Sequence, residues 1–173
     1  MKFGCILIMM GALATAPLFA QTPADPALRE GRLIWLHLKE SRQEIARLLG
    51  PPALTADFGK DFQSWQYRIG DGDHDDSSHI LIFRKSTGAL VSVTRNFSPE
   101  RTVDEFFPPA QWQTYSSEFN GVRYSVRVRI LPEGKLLLAM GTAKAGQPTG
   151  QLILVSDTEL PNLFPWIAEQ RKK

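Results

Sequence analysis

The residues best suited to chemistry lie in one short acidic stretch, from Asp71 to His79. It combines carboxylates with imidazoles, namely Asp71, Asp73, Asp75, Asp76, His74 and His79. Calcium prefers carboxylate oxygens, and Asp71, Asp73 and Asp75 match the first ligand positions of a calcium loop. A calcium loop would also need Gly in place of Asp76 and Glu in place of Ile82. Two interpretations therefore stand: a metal site at Asp71, Asp73, Asp75 and Asp76, or a solvated acidic loop between two strands, which we favour.

Three arginines of one predicted strand form a second candidate site. Arg123, Arg127 and Arg129 alternate with apolar residues, and residues two apart in a strand point to the same face. Guanidinium groups bind carboxylates and phosphates well, so this face suits an anionic ligand or an acidic partner. The competing interpretation, which we favour, is the solvent-exposed side of a half-buried antiparallel strand.

Aromatic residues beside prolines form a third candidate site. Phe106 and Phe107 precede Pro108-Pro109 and Trp112, and Phe164-Pro165-Trp166 repeats the pattern near the end of the chain. If exposed, Phe106, Phe107 and Trp112 would form a partner-binding patch, because aromatic side chains anchor many interfaces. If buried, they would attach irregular segments to the core, and the sequence favours burial.

Catalytic patterns are scarce in this sequence. Its only cysteine is Cys5, and its histidines are His37, His74 and His79. It has no G-x-S-x-G or H-E-x-x-H motif and no phosphate-binding glycine loop. A hydrolase that uses two carboxylates brought together by the fold remains open. We predict that the protein is not an enzyme and needs no cofactor.

The first twenty residues have the layout of a secretory signal peptide. Lys2 precedes the apolar run from Phe3 to Leu13, and the small-residue segment that follows ends at Ala20. An uncleaved anchor is the competing interpretation, but Pro17 interrupts a segment already short of the ~20 apolar residues of a usual span. Cys5 lies too early to carry a lipid. We expect a periplasmic or secreted protein that is not an integral membrane protein after cleavage.

The charge balance argues against nucleic-acid binding. The chain has 20 basic and 18 acidic residues, and of these only Lys2 lies in the first twenty positions. The remainder is therefore close to neutral. Proteins that bind nucleic acids usually present a strongly basic face to the phosphates.

The elements that position these residues are helices followed by strands. One helix is predicted over 27–38, and a second begins at the capping box of Ser41 and Glu44 and ends at Gly50. A helical turn is predicted from Ser98 to Phe107. Strands are predicted over 62–69, 79–84, 89–97, 112–119, 122–131, 135–141 and 150–156. This order predicts an α+β fold, with N-terminal helices packed on one face of a mostly antiparallel sheet of about six or seven strands.

Residues 36–96 resemble the SmpA/OmlA (BamE-like) domain of bacterial envelope proteins. The resemblance rests on a capped helix that ends in Leu49-Gly50-Pro51-Pro52, on Trp65-Gln66-Tyr67, and on the segment from Leu81-Ile82-Phe83 to Gly88-Ala89-Leu90-Val91. It implies a small helix-and-sheet domain that binds other proteins and carries no catalytic residues. The related β-lactamase inhibitory proteins use a similar layout in tandem, and helix-then-strand order occurs here at 41–97 and again at 98–156.

These observations predict a signal peptide over 1–20, a flexible lead over 21–26 and a single α+β domain over 27–173. Within it, 27–97 is the SmpA/OmlA-like half and 98–173 a strand-rich extension. We predict an exported, non-catalytic protein-binding domain of the bacterial cell envelope, with another envelope protein as its partner. The alternative is a periplasmic protein that binds a small ligand or ion through the Asp71–His79 loop or the arginine face.

Overall fold

A single antiparallel sheet dominates the computed structural model, which describes residues 38–68, 78–102, 112–119, 122–141 and 148–172. The elements in chain order are α1 (Arg42–Leu49), β1 (Leu54–Phe58), β2 (Phe62–Arg68), β3 (Ser78–Arg84), β4 (Leu90–Thr102), β5 (Gln113–Phe119), β6 (Val122–Leu131), β7 (Lys135–Met140), β8 (Pro148–Ser156), a 3-10 turn (Asp157–Glu159), α2 (Leu160–Leu163) and α3 (Pro165–Gln170).

The sheet consists of two four-stranded meanders joined side by side. Its strand order is β1-β2-β3-β4-β8-β7-β6-β5, and every neighbouring pair is antiparallel. The last strand of the first meander, β4, pairs with the last strand of the second, β8. As a result, β1 and β5 form the two edges of the sheet in the part of the chain that the structure describes.

Both faces of the sheet are covered in its centre. We call face A the side that carries Leu81, Phe83, Leu137, Leu152 and Leu154, and face B the side that carries Ile82, Val128, Leu138, Ile153 and Val155. Helix α1 packs on face A through Ile45, whereas α2 and α3 pack on face B through Leu160, Leu163 and Ile167. Strands buried on both sides carry continuous apolar runs, as β7 and β8 do.

Helix α1 forms as its sequence predicts. The Glu44 carboxylate accepts hydrogen bonds from the Ser41 backbone N (2.7 Å) and Oγ (2.8 Å), and the Glu44 backbone N donates to Ser41 Oγ (3.3 Å). Gly50 ends the helix at φ 75°, a conformation that favours glycine. The Tyr67 hydroxyl then donates to the Gly50 carbonyl (3.1 Å), which fixes the helix end against β2.

The α+β prediction is wrong, because the fold is mainly β, with an eight-stranded sheet and short helices. The helices that cover face B come after the sheet rather than before it. The predicted helical turn at Ser98 lies within β4, where pairing of Arg101 and Thr102 with β8 overrides the local Ser-Pro signal. The predicted helix over 27–38 lies almost entirely outside the described residues.

The seven predicted strands are present, and β1 is the additional one. All five residues of β1 are exposed, so pairing with β2 rather than burial holds this strand in place. Within the described part of the chain, no helix is long and apolar enough to cross a membrane.

Candidate functional site

Several predicted site residues fall outside the described part of the chain. These are Asp71, Asp73, Asp75 and Asp76 of the acidic loop and Phe106 and Phe107 of the aromatic segment. His79, at the end of that loop, is described and is fully buried on face A. Among the described residues, no group of three or more His, Cys, Asp or Glu side chains could hold a metal ion.

Arg127 and Arg129 of β6 do not lie on a solvent-exposed face. Arg127 is 2% exposed, and its guanidinium lies 5.5 Å from the centre of the Trp112 ring. Arg129 is half-buried, and Arg123 stands opposite Glu118 in the strand register. Because β6 lies one strand in from the edge and Val126 and Val128 fill its other side, the middle of the strand is covered on both faces.

Buried polar residues form a line across face A. Tyr67, His79 and Arg95 stand opposite one another on β2, β3 and β4, and the same line reaches Arg127 on β6. Arg95 lies 5.2 Å from the centre of the Phe97 ring. Burial raises the pKa of Tyr67 to about 12, so its hydroxyl stays protonated as a donor to Gly50. This line therefore lies inside the fold rather than on its surface.

Four of the five large apolar side chains that are exposed among the described residues lie on face B. Of the large apolar side chains that are exposed in the described residues, Leu54, Phe58, Tyr124 and Ile130 lie on face B, at 45–59% exposure, and Leu48 lies on α1. Leu54 and Phe58 belong to the edge strand β1, whereas Tyr124 and Ile130 belong to β6. Helices α2 and α3 pack on the centre of face B, and no other described element covers its two flanks.

A cavity of about 310 Å³ opens on face B beside β5. It is lined by Ser117, Tyr124, Met140 and Trp166. Ser117 on β5 stands opposite Tyr124 on β6, and Met140 lies on the next strand, so the sheet forms the floor of the cavity. Trp166 forms a wall from α3. These four residues, with the adjoining part of β5, are called the β5 pocket below.

Polar contacts hold the C-terminal helices, and with them Trp166, against the sheet. Arg84 donates two hydrogen bonds to the Glu159 carboxylate, one of them from Nε at 2.9 Å. Asn162 Nδ2 donates to the same carboxylate at 2.9 Å, and Arg171 Nη1 donates to Asp157 Oδ1 at 2.5 Å. The hydrogen bonds from Arg84 lower the pKa of Glu159. Burial acts in the opposite direction, but its effect on the pKa is smaller.

The described lining of the β5 pocket is suited to binding an apolar group. It offers two hydroxyl groups, a thioether and an indole, and none of the four described side chains is a carboxylate, an imidazole or an amine. Tyr and Trp combine a large apolar surface with a polar group, which is why they are frequent at interfaces. The arrangement can therefore hold an apolar group and direct a hydrogen bond to its rim.

Sequence reasoning identified this pocket only in part. The Phe164-Pro165-Trp166 segment was recognised as an aromatic cluster, and Trp166 does line the cavity. Alternation along β6 predicts that Tyr124 shares the apolar face of Val126 and Val128, but it does not predict that Tyr124 is exposed. Ser117 and Met140 carried no signal, because a small polar residue and a methionine are ordinary in strands.

No family model matches this chain, and no curated protein sequence matches it. Among solved structures, it is similar to a cysteine-rich secretory protein from Staphylococcus aureus subsp. aureus Mu50, with 14% identity, a TM-score of 0.51 and coverage of 82% of this chain and 51% of that one. An extracellular protein containing a SCP domain from Bacillus anthracis str. Ames matches with 8% identity, a TM-score of 0.49 and coverage of 71% and 45%. The chain thus spans about half the length of these structures.

The SmpA/OmlA resemblance is wrong. The structural likeness is to a cysteine-rich secretory protein, a different fold from SmpA/OmlA, and neither sequence comparison supports the resemblance. The segments that suggested it are real as local elements: a capped helix, the strand with Trp65 and Tyr67, and the hairpin of β3 and β4. Such local elements do not determine how strands are ordered in a sheet.

Proposed function

We propose that this chain is an exported, non-catalytic binding domain that holds a partner protein against face B, at the β5 pocket. Export is supported by the charge, apolar run and small-residue segment of residues 1–20. It is also supported by the structural neighbours, which are described as secretory and extracellular. A place in the bacterial envelope, with another envelope protein as partner, is the more specific form of the proposal.

The β5 pocket is the observation that carries the proposal. It lies between exposed Tyr124 and half-buried Trp166, and β6 carries a further exposed apolar side chain, Ile130, on the same face. Contiguous exposed apolar surface marks interaction sites, and Trp and Tyr are over-represented among the residues that dominate binding energy. A partner that covers this surface would remove apolar area from water and fill the cavity.

Two of the described acids, Glu44 and Glu159, serve structural contacts. A general acid needs a carboxyl whose pKa is raised, usually by burial. Here the Arg84 hydrogen bonds lower the pKa of Glu159, and the Ser41 hydrogen bonds lower the pKa of Glu44. Both carboxylates therefore stay ionised as structural groups.

The alternative small-ligand function has less support. Its arginine face required Arg127 to be accessible, whereas Arg127 lies buried beside Trp112. The acidic loop lies outside the described residues. We therefore favour a protein partner over an anion.

The test compares Tyr124→Ser with Leu48→Ser. The two side chains are exposed to nearly the same degree, 47% and 49%, but Leu48 lies on α1, away from the pocket. The partner is captured from envelope extract, identified, purified and titrated against each variant, and thermal unfolding confirms that both variants fold. We expect Tyr124→Ser to weaken binding at least tenfold, the effect of about 1.4 kcal/mol, and Leu48→Ser to leave it unchanged. Equal affinity of the two variants would overturn the proposal.

A further inference from the structure

We infer that the partner contributes an extended segment that pairs with β5 as a ninth strand and inserts one apolar side chain into the β5 pocket. This inference rests on the proposed function and specifies the kind of partner. Strand addition is a known mode of recognition, in which main-chain hydrogen bonds supply affinity and pockets for alternate side chains supply specificity.

Strand β5 offers a continuous edge for such pairing. Among the described strands it stands last in the order, and all seven of its residues pair with β6 without a register shift, from Gln113 opposite Val128 to Phe119 opposite Val122. An edge strand presents backbone N–H and C=O groups on its outer side. Another extended backbone can pair with these groups, because it presents N–H and C=O groups at the same spacing.

The other edge of the sheet is better protected against pairing. Natural edge strands avoid it by being short and by carrying charges or prolines. Strand β1 has five residues, follows Pro51-Pro52, and carries Asp57 in an ion pair with Lys85 (2.8 Å). Strand β5 is longer, contains no Pro, Lys or Arg, and has Glu118 as its one charged residue.

The register places the pocket within reach of an added strand. Among the β5 side chains that the structure describes, Gln113, Tyr115 and Ser117 lie on face B, and Ser117 itself lines the cavity. A strand added beyond β5 would lie about 4.8 Å away. Its residue opposite Ser117 would point to face B, and the short serine side chain leaves that residue a path over β5 towards Tyr124, Met140 and Trp166.

The same register predicts the pattern of the partner segment. The residue opposite Ser117 should be aliphatic or aromatic, because it enters an apolar cavity. Its two neighbours should be polar, because they point to face A beside the exposed side chains of Ser116 and Glu118. The ligand class is therefore an extended peptide with an apolar residue between polar ones.

The experiment uses the full chain and a library of short random peptides, from which the tightest binder is synthesised as the probe. Binding is measured by fluorescence anisotropy, and amide hydrogen exchange is followed at each residue of β5 with and without the probe. Ser117→Trp fills the pocket, and Thr55→Trp places the same side chain on the exposed edge strand β1 as a matched control. Hydrogen exchange of the β5 amides is also measured on the unmodified chain. That measurement tests the inference even if Ser117→Trp does not fold.

We expect the selected peptides to carry the predicted apolar residue and to slow exchange of β5 amides at least tenfold. Ser117→Trp should weaken binding at least tenfold, and Thr55→Trp should not. The inference is overturned by an absence of binding peptides, by peptides that leave β5 exchange unchanged, or by a concentration-dependent dimer that protects the same amides. A folded partner that requires Tyr124 but leaves β5 exchange unchanged would overturn this inference alone, whereas a partner indifferent to Tyr124 would overturn the proposed function.

Discussion

Aromatic rings accompany the buried cations of face A. Arg95 lies against Phe97 and Arg127 against Trp112, with guanidinium-to-ring distances of 5.2 and 5.5 Å. Such contacts are worth about 2 kcal/mol or more when they are shielded from water. The alternation of β6 correctly placed Arg127 on the face opposite Val126 and Val128, but alternation predicts orientation and not burial. The ring beside Arg127 belongs to Trp112, which lies 15 positions earlier in the chain.

Burial of single leucines predicts a clear difference in stability. Leu138 is fully buried on β7, whereas Leu54 is 57% exposed on β1. We expect Leu138→Ala to lower the free energy of unfolding by about 2–5 kcal/mol, because it removes buried methyl groups and leaves a cavity. Leu54→Ala should lower it by about 0.5 kcal/mol or less. Urea denaturation measures the free energy of unfolding of both variants. If the two variants lost the same amount, Leu138 would not be a core residue and Leu54 a surface residue of face B.

The Arg84–Glu159 contact predicts a pH dependence. The pKa of Glu159 is lowered in the fold from its ordinary value of 4.5, so its ionised form stabilises the folded state above that pH. This contribution is lost as pH falls through the lowered pKa. Glu159→Gln should therefore reduce the urea midpoint at pH 7, and its difference from the unmodified chain should shrink below pH 4.5. Glu169→Gln, at an exposed position of α3, is the control. The contact would be contradicted if the urea midpoint of Glu159→Gln differed from that of the unmodified chain by the same amount at every pH.

Among the elements, α1 and the C-terminal helices form for different reasons. Helix α1 carries its own start and stop signals, so its bounds could be predicted from Ser41, Glu44 and Gly50 alone. The segment from Leu160 to Gln170 has only an apolar patch, and its helices are held by burial of Leu160 and Ile167 and by the Glu159 and Asp157 contacts. Local signals therefore predict α1, whereas tertiary packing decides α2 and α3.

The capping box makes a testable contribution to α1. Ser41→Ala removes the acceptor for the Glu44 backbone N and the donor to its carboxylate. We expect a loss of about 1 kcal/mol in the free energy of unfolding. Ser41→Asp keeps an acceptor at the helix start and should lose less than half of that. If Ser41→Ala were as stable as the unmodified chain, the cap would not contribute to the fold.

Across the whole molecule, the junction of β4 and β8 makes the two meanders one structure. Both apolar clusters include residues of each meander, and a hydrogen-bonded row of Ser78, Asn96 and Gln151 crosses the junction with two contacts of 3.0 Å. Separate folding of either meander would expose the sides of β4 and β8 that now pair. The described sheet should therefore unfold as one unit.

Single-tryptophan variants test this cooperativity. One variant keeps only Trp65, in the first meander, and the other keeps only Trp166, which packs with the second, with every other tryptophan changed to Phe. Each variant's tryptophan fluorescence and far-ultraviolet circular dichroism are followed in urea. We expect the two signals to give one coincident midpoint in each variant. A fluorescence transition separate from that of the circular dichroism would show that the meanders unfold independently.

Sequence alone could predict the strands but not their arrangement. Alternation and turns such as Pro132-Glu133-Gly134 located seven strands, because those signals are local. The pairing of β4 with β8 joins residues about 60 positions apart, such as Ser92 and Val155, and local elements favoured the wrong family. The β5 pocket combines three strands and a helix, so only Trp166 was visible in advance.

Site-specific photocrosslinking at position 124 tests the central claim most directly. A photoreactive phenylalanine replaces Tyr124 in cells that export the protein, and the same group at Leu48 serves as the control with equal exposure. We expect one adduct of defined mass from position 124, none from position 48, and loss of the first when Ser117→Trp fills the pocket. No adduct, or the same adducts from both positions, would contradict a partner held at the β5 pocket.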